Sequence, residues 1–474
     1  MEKPARGVMN GNAKVSQIDD AQLGRILAYD EGHFGDIKAI EVLPSKMSES
    51  VSAFANTDGG ELWIGVDEDE KTRARSWRGF ARVEDANSHL QILNNICPLG
   101  SEYSFEFLEH PPSLGFVLHI EIKKTRSIIK ATNGIPYLRL GAQKLPVDTP
   151  EKLTRLARNK GITSFETETV SVDPQIITNS ATTIGFMLEV VPTSEPEPWL
   201  RKQMLIVDSL PTVAGIVLFA DEPQSALPKR TGIKMTRFTS TGAEGTRETL
   251  AGDPVSVEGC AYDLIHRAVK MTQEIIGGIP RLGERGLEPV TYPPVTLHEI
   301  ITNAVLHRDY SIPDDIHVRI FDNRVEVESP GLLPGHITEQ NILNERFARN
   351  PTIVRLINRF LDPPNKDIGE GLNTAFAAMK MMRLRDPEIK QSANSVIVYI
   401  RHTRLASPED AVLEYLSDHD QITNTIGRDL TGIRSDDTMK NVFTRLRQRG
   451  LVERVPNTRG RNSAWRKPVA TGAD

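Results

Sequence analysis

The run His298-Glu-Ile-Ile-Thr-Asn-Ala-Val-Leu-His307 has a helical pattern and sets Glu299 and Asn303 four residues apart, so both side chains leave one face. An asparagine carbonyl oxygen is a hard, neutral ligand suited to Mg2+. A glutamate one turn earlier can hold a water in line with a terminal phosphate and act as general base. His307 continues the same side. Glycines at 331, 335, 369 and 371 then cluster in two loops, the second leading straight into a helix. Backbone N–H groups at a helix start cradle phosphate, and glycine permits their close approach. A polar helix face or a pair of turn glycines is ordinary when met alone. The chemistry rests on their coming together in this order.

Two other constellations invite a reading. Glu31 and Asp36, five apart, with Asp67 after a strand, are three carboxylates that could gather a divalent metal, activate water and clamp a phosphodiester. Surface acids are common, so binding without cleavage is the competing reading. Between Lys440 and Lys467 lie nine basic residues against one acid, Glu453, in a chain whose net charge is −6. A local basic surface on an acidic protein is what an attached nucleic-acid module looks like. Arg445, Arg447 and Arg449 fall on a predicted helix, and Arg459 and Arg461 flank Gly460 in a turn, which suits phosphate contacts; docking to a protein is the alternative. His307-Arg-Asp-Tyr310 has the look of a kinase catalytic loop, but no asparagine stands at 314 and no Asp-Phe-Gly occurs. A P-loop motif is absent as well.

These residues need scaffolding. At 474 residues the chain exceeds a single core, and three to four domains are expected. No run of about 18 apolar residues occurs, so no membrane span is expected. Cys97 and Cys260 are too few for a disulfide framework and fit a reducing cytoplasm. Residues 1–24 read as a disordered lead-in. Residues 25–162 read as an α+β domain, with a helix near 46–57 that Ser45 could cap, a turn at Asp58-Gly59-Gly60, and strands at 61–66, 116–122 and 137–140. Residues 163–290 read as a connecting α/β region, in which Val213–Phe219 is a candidate buried strand and 256–277 a helix. In residues 291–404 a strand pair surrounds Asp322-Asn323, Asn350 could cap a helix begun by Pro351, and 396–400 is a closing strand. Residues 405–474 read as three helices and a hairpin.

The order of HEIITNAVLHRDYS, IFDNRVEVESPGLLP, RNPTIVRLI and GEGLNTAF resembles the GHKL ATPase-like domain, in the variant attached to Schlafen-type AlbA-like domains and labelled RecG-related. The resemblance implies a Bergerat-type α/β sandwich that binds ATP. It further implies that Asn303 holds Mg2+, that Glu299 serves as base, and that Gly331, Gly369 and Gly371 sit with His307 around the nucleotide. Glu328-Ser-Pro-Gly331 stands where other members carry an Asp-x-Gly-x-Gly adenine site. SAFANTDGGELWIGVDED at 52–69 resembles the Schlafen-type AlbA-like domain, which implies DNA or RNA binding and, in some members, a carboxylate nuclease centre; the usual Glu-Phe-Lys element reads Asp36-Ile37-Lys38. The tail resembles a winged helix-turn-helix. Together these imply a multidomain α+β, nucleotide-controlled regulator or defence-type protein, and GHKL relatives imply a homo-oligomer. The alternatives are an ATP-gated, metal-dependent nuclease and an ATP-locked scaffold.

Overall fold

The helix Pro44–Asn56 shows how the first unit is built. Pro44 occupies its first turn, where a missing N–H costs nothing, and Leu43 takes the cap position expected for Ser45. Met47, Val51 and Phe54 recur on one face and pack on Leu62, Ile64, Leu118 and Ile120. Gly59, at φ 82°, closes the helix by donating its N–H to the Phe54 carbonyl. In this computed structural model, residues 14–69, 71–96, 102–283, 286–364, 371–401, 408–431, 433, 435–456, 458 and 463–468 are described.

Beneath that helix lies a five-stranded sheet in the order Val15–Gln17, Tyr103–Glu109, Phe116–Ile122, Gly60–Ile64, Gly35–Lys38. Its two edge pairs are parallel and its two inner pairs antiparallel. Residues 14–24, expected to be disordered, are part of this unit. Val15–Gln17 pairs with Phe107–Glu109, and Asp19 caps the helix Asp20–Leu27 in a reciprocal box with Gln22. Polar text at a chain start hid a short edge strand.

The second unit has a six-stranded sheet in the order Val255–Val257, Ile233–Arg237, Ile316–Ile320, Arg324–Pro330, Ser395–Arg401, Glu388–Gln391. Helices Ala261–Gly277 and Pro294–Leu306 pack on it and on each other, and one apolar core runs from Ile177 to Ile400. The boundary expected at 290 therefore divides nothing: the strands at 233–237 and 255–257 extend the sheet to which 316–330 belongs. Val213–Phe219 is a helix, not a strand, with all seven residues buried. An unbroken apolar run carries no period to distinguish the two. Thr212 caps it by accepting from the Gly215 N–H, and Gly215 lies so near the Leu205 carbonyl that a Cβ would come within 2.8 Å. Asn350 precedes the helix Pro351–Ile357 but does not cap it; its amide donates to the Leu306 and Arg308 carbonyls. The buried carboxylate of Glu166 instead accepts the Thr352 and Ile353 N–H groups.

The third unit strings Pro408–Asp418, Asn424–Thr431 and Asp436–Gln448 as helices, with the sheet order Ile422–Thr423, Ala464–Arg466, Glu453–Arg454. Val412, Leu416, Met439, Val442, Phe443 and Leu446 form its core. Among the described residues no helix is long and apolar enough to cross a membrane.

Lys160, 2% exposed, closes the first unit by donating to the Ala55 and Thr125 carbonyls and the Thr125 hydroxyl. Burial, reinforced by the Lys124 charge, pushes its ammonium down from 10.5 to about 7. Between those two values the unfolded chain holds a proton that the folded chain has released, so stability rises with pH there. The rise is of order a few kcal/mol. Lys160→Met is expected to abolish this increment. The check is the wild-type minus variant unfolding free energy followed from pH 7 to 10; a flat difference contradicts it.

Candidate functional site

The helix Pro294–Leu306 turns Glu299 and Asn303 into a cleft of about 820 Å³, and His307, just past its end, lines the same space. Asn303 Nδ2 donates to Glu299 Oε1 at 2.8 Å, and among the described residues the asparagine oxygen is uncommitted. Burial pushes the Glu299 carboxyl above its ordinary range, partly opposed by that hydrogen bond. His307 Nδ1 is buried without a partner, and burial with the nearby Arg349 charge lowers the imidazole to about 4, so the ring is neutral at physiological pH.

Both glycine loops reach the cleft. Gly331, at φ 111°, lies against Asp309, where a Cβ would approach within 2.7 Å. Behind it the buried Arg349 pairs with Asp309 at 3.3 Å and donates to the Leu332 carbonyl. Gly371 opens the helix Gly371–Met381, and a Cβ there would sit 1.8 Å from Glu299 Oε1. The helix Gly371–Met381 thus lies directly over the carboxylate. Gly369 lies outside the described residues. Val327, Ile389, Val396 and Val398 give the cleft an apolar wall, and Ser329 lines it while donating to the Ala304 carbonyl. Glu328 is turned to the sheet, bonded to Ser395 and Arg319, so it does not replace the aspartate of the Asp-x-Gly-x-Gly pattern.

Residues missed by sequence reasoning also line this space. His266 and Val269 come from the helix Ala261–Gly277, and Ile337, Leu343 and Phe347 from the segment after Gly335. The helical period of 261–277 was legible, but nothing in it pointed to a shared cleft. The amino-terminal unit reaches the same segment. Lys124 donates to the Leu333 and Ile337 carbonyls at 3.1 and 2.9 Å and pairs with Asp58 at 3.3 Å.

Of the three carboxylates expected to form a metal centre, Glu31 and Asp36 meet on Lys38 Nζ, at 3.5 and 2.6 Å, and Asp67 is paired elsewhere. Asp36 is buried between Lys38 at 2.6 Å and Arg139 at 3.7 Å and accepts from Ser50. Glu31 accepts the Ile37 N–H, and Asp67 pairs with Arg78 at 3.3 Å. Among the described residues no group of three His, Cys, Asp or Glu is placed to hold a metal. The Asp36-Ile37-Lys38 element is internally neutralised, which its five-residue spacing from Glu31 could not reveal. Asn56 of the neighbouring motif is structural too, donating to the Ile129 and Tyr137 carbonyls and accepting the Ile129 N–H. Cys260 is a core thiol pushed up to about 11 by burial.

In the third unit Arg447 and Arg449 are exposed at the end of the helix Asp436–Gln448, whereas Arg445 is held by Glu409. Arg459 and Arg461 lie outside the described residues.

Residues 31–148 match the family model described as "Schlafen, AlbA_2", and residues 314–400 match the one described as "Putative ATP-dependent DNA helicase recG C-terminal". Two separate segments of the chain are thus similar to these two families. A crystal structure of the DIP2311 protein from Corynebacterium diphtheriae is similar over 94% of this chain and 96% of that one, at 19% identity and a TM-score of 0.40. No curated protein matches.

Asp36→Ala is expected to leave Arg139 buried without its counter-charge and to cost about 3 kcal/mol of stability. Denaturant titration of the full chain checks it; an unchanged midpoint contradicts this structural role.

Proposed function

We propose that this protein binds ATP with Mg2+ in the cleft and engages nucleic acid through its first and third units, as a regulator whose hold on nucleic acid depends on nucleotide. The observation that carries the reading is the meeting of Glu299 and Asn303 with Gly331 and Gly371 in one open cleft. The residues fit the cofactor. Asn303 keeps a carbonyl oxygen free to hold Mg2+, and the start of the Gly371 helix offers N–H groups to phosphate. The apolar wall of Val327, Val396 and Val398 suits a base. Bound Mg2+ supplies charge neutralisation at the phosphates. Glu299, with its carboxyl raised by burial, is suited to orient water and accept its proton. The matched ATPase-like description supports nucleotide as the ligand class.

For nucleic acid, the third unit's order of helix, short strand, two helices and two strands supports the winged-helix reading. The exposed Arg447 and Arg449 suit phosphate contacts. The Schlafen AlbA_2 match supports the same partner class for the first unit. Lys38 standing on both Glu31 and Asp36, with Arg78 on Asp67, favours binding over metal-dependent cleavage.

ATP and Mg2+ at about 100 times Kd are expected to stabilise the wild type by roughly 2.7 kcal/mol. Asn303→Ala should lose most of that shift with little change in its ligand-free midpoint. A thermal-shift titration checks both, and a wild type indifferent to ATP sinks the nucleotide reading. Duplex binding should weaken steeply with salt. Arg447→Glu with Arg449→Glu should reduce the slope of log K against log salt by about 2. Fluorescence anisotropy over a salt series measures this, and an unaltered slope removes that helix from the interface.

A further inference from the structure

The segment 331–337 belongs to two places at once. Leu333, Pro334 and Ile337 line the cleft. The same segment is fastened to the amino-terminal unit at several points. Lys124, 7% exposed at its side chain, gives hydrogens to the Leu333 and Ile337 carbonyls and shares the Asp58 carboxylate, which also meets His33 at 2.9 Å. Gln391 accepts the Leu333 N–H at 2.8 Å while its amide approaches Asp58 at 3.4 Å. The Gly335 N–H donates to the Asn159 carbonyl at 2.9 Å, and Arg126 donates to His336 at 3.1 Å. Leu333 is therefore held at both its N–H and its carbonyl. Asp58 is in turn the first residue after the Asn56-Thr57 helix end.

A buried ammonium without acceptors is costly, so Lys124 and the carbonyls at 333 and 337 keep one another in place. A ligand that contacts 333–337 cannot shift that segment without stretching or tightening bonds to Lys124. No long chain of intermediates is needed, because the shared element is only five residues long.

We propose that Lys124, contributed by the amino-terminal unit, is a positioning residue for the ligand of the cleft, and that ligand binding is thereby linked to the Asp58 turn of that unit. This rests on the nucleotide reading above. Linkage is reciprocal: whatever the amino-terminal unit binds at or near Asp58 alters nucleotide affinity by the same factor with which nucleotide alters its binding.

Hydrogen–deuterium exchange of the full chain with and without ATP and Mg2+ separates the outcomes. In the wild type, exchange is expected to slow in 299–307 and 331–338, and also in 54–60, remote from the cleft. In Lys124→Met the protection of 299–307 should persist while that of 54–60 disappears, with ATP affinity falling roughly 5- to 100-fold, the range of a typical coupling energy. Asp58→Ala cuts the bonds of Lys124 and Gln391 to the turn while leaving Lys124 on the 333 and 337 carbonyls, and should give the same loss at 54–60 should the lysine variant fail to fold. Cleft protection without any change at 54–60 in the wild type overturns the inference and leaves nucleotide binding standing. The inference is equally overturned by protection at 54–60 that survives in whichever folded variant is measured. Absence of protection at both places overturns the nucleotide reading itself, and the linkage with it.

Discussion

One close approach sets the geometry of the site: the backbone of Gly371 lies against the Glu299 carboxylate with no room for even a methyl group. Two helices, Pro294–Leu306 and Gly371–Met381, can meet this tightly only because one contributes no side chain at the crossing. Thr296 fixes the pair a turn away by donating to the Ala375 carbonyl. With the helices so placed, a carboxylate, an amide and a helix start all face one space. A side chain at 371 would displace the Glu299 carboxylate from its place and so separate the groups on which the site depends.

What the sequence disclosed of this arrangement was its local part. Glu299, Asn303 and His307 lie on one helix and its end, so their common side follows from the 3.6-residue period alone. The glycines were legible because few other residues serve at a helix start packed on a neighbour. The fate of Asp36 was not legible. Besides Lys38 beside it, its partner Arg139 is more than a hundred residues away, and only folding reveals that the carboxylate also faces a buried guanidinium. Glu166 is a parallel case. It looks like one more linker acid, yet it caps a helix 186 residues downstream, the duty for which Asn350 was the local candidate.

The middle of the chain misled for a related reason. Ile233–Arg237 pairs in parallel with Ile316–Ile320, and a parallel pair needs a long crossover, so the sheet's continuity is interrupted in sequence by the helices that build the cleft. Read linearly, 163–290 is a connector. In space it supplies two strands of the sheet and one wall of the site. Val213–Phe219 was ambiguous because full burial erases the polar alternation that separates strand from helix.

The strand order of this sheet also governs how the polypeptide takes shape as it leaves the ribosome. The first sheet has all its strands by Ile122, whereas the second cannot seat Arg324–Pro330 between its neighbours until Ser395–Arg401 has been made. Domains form in order of synthesis, and non-local pairings are slow. For some 240 residues of elongation after Lys160 closes it, the early unit therefore waits, its Lys124 ammonium in water, for the second unit to bring the two backbone carbonyls that will enclose it.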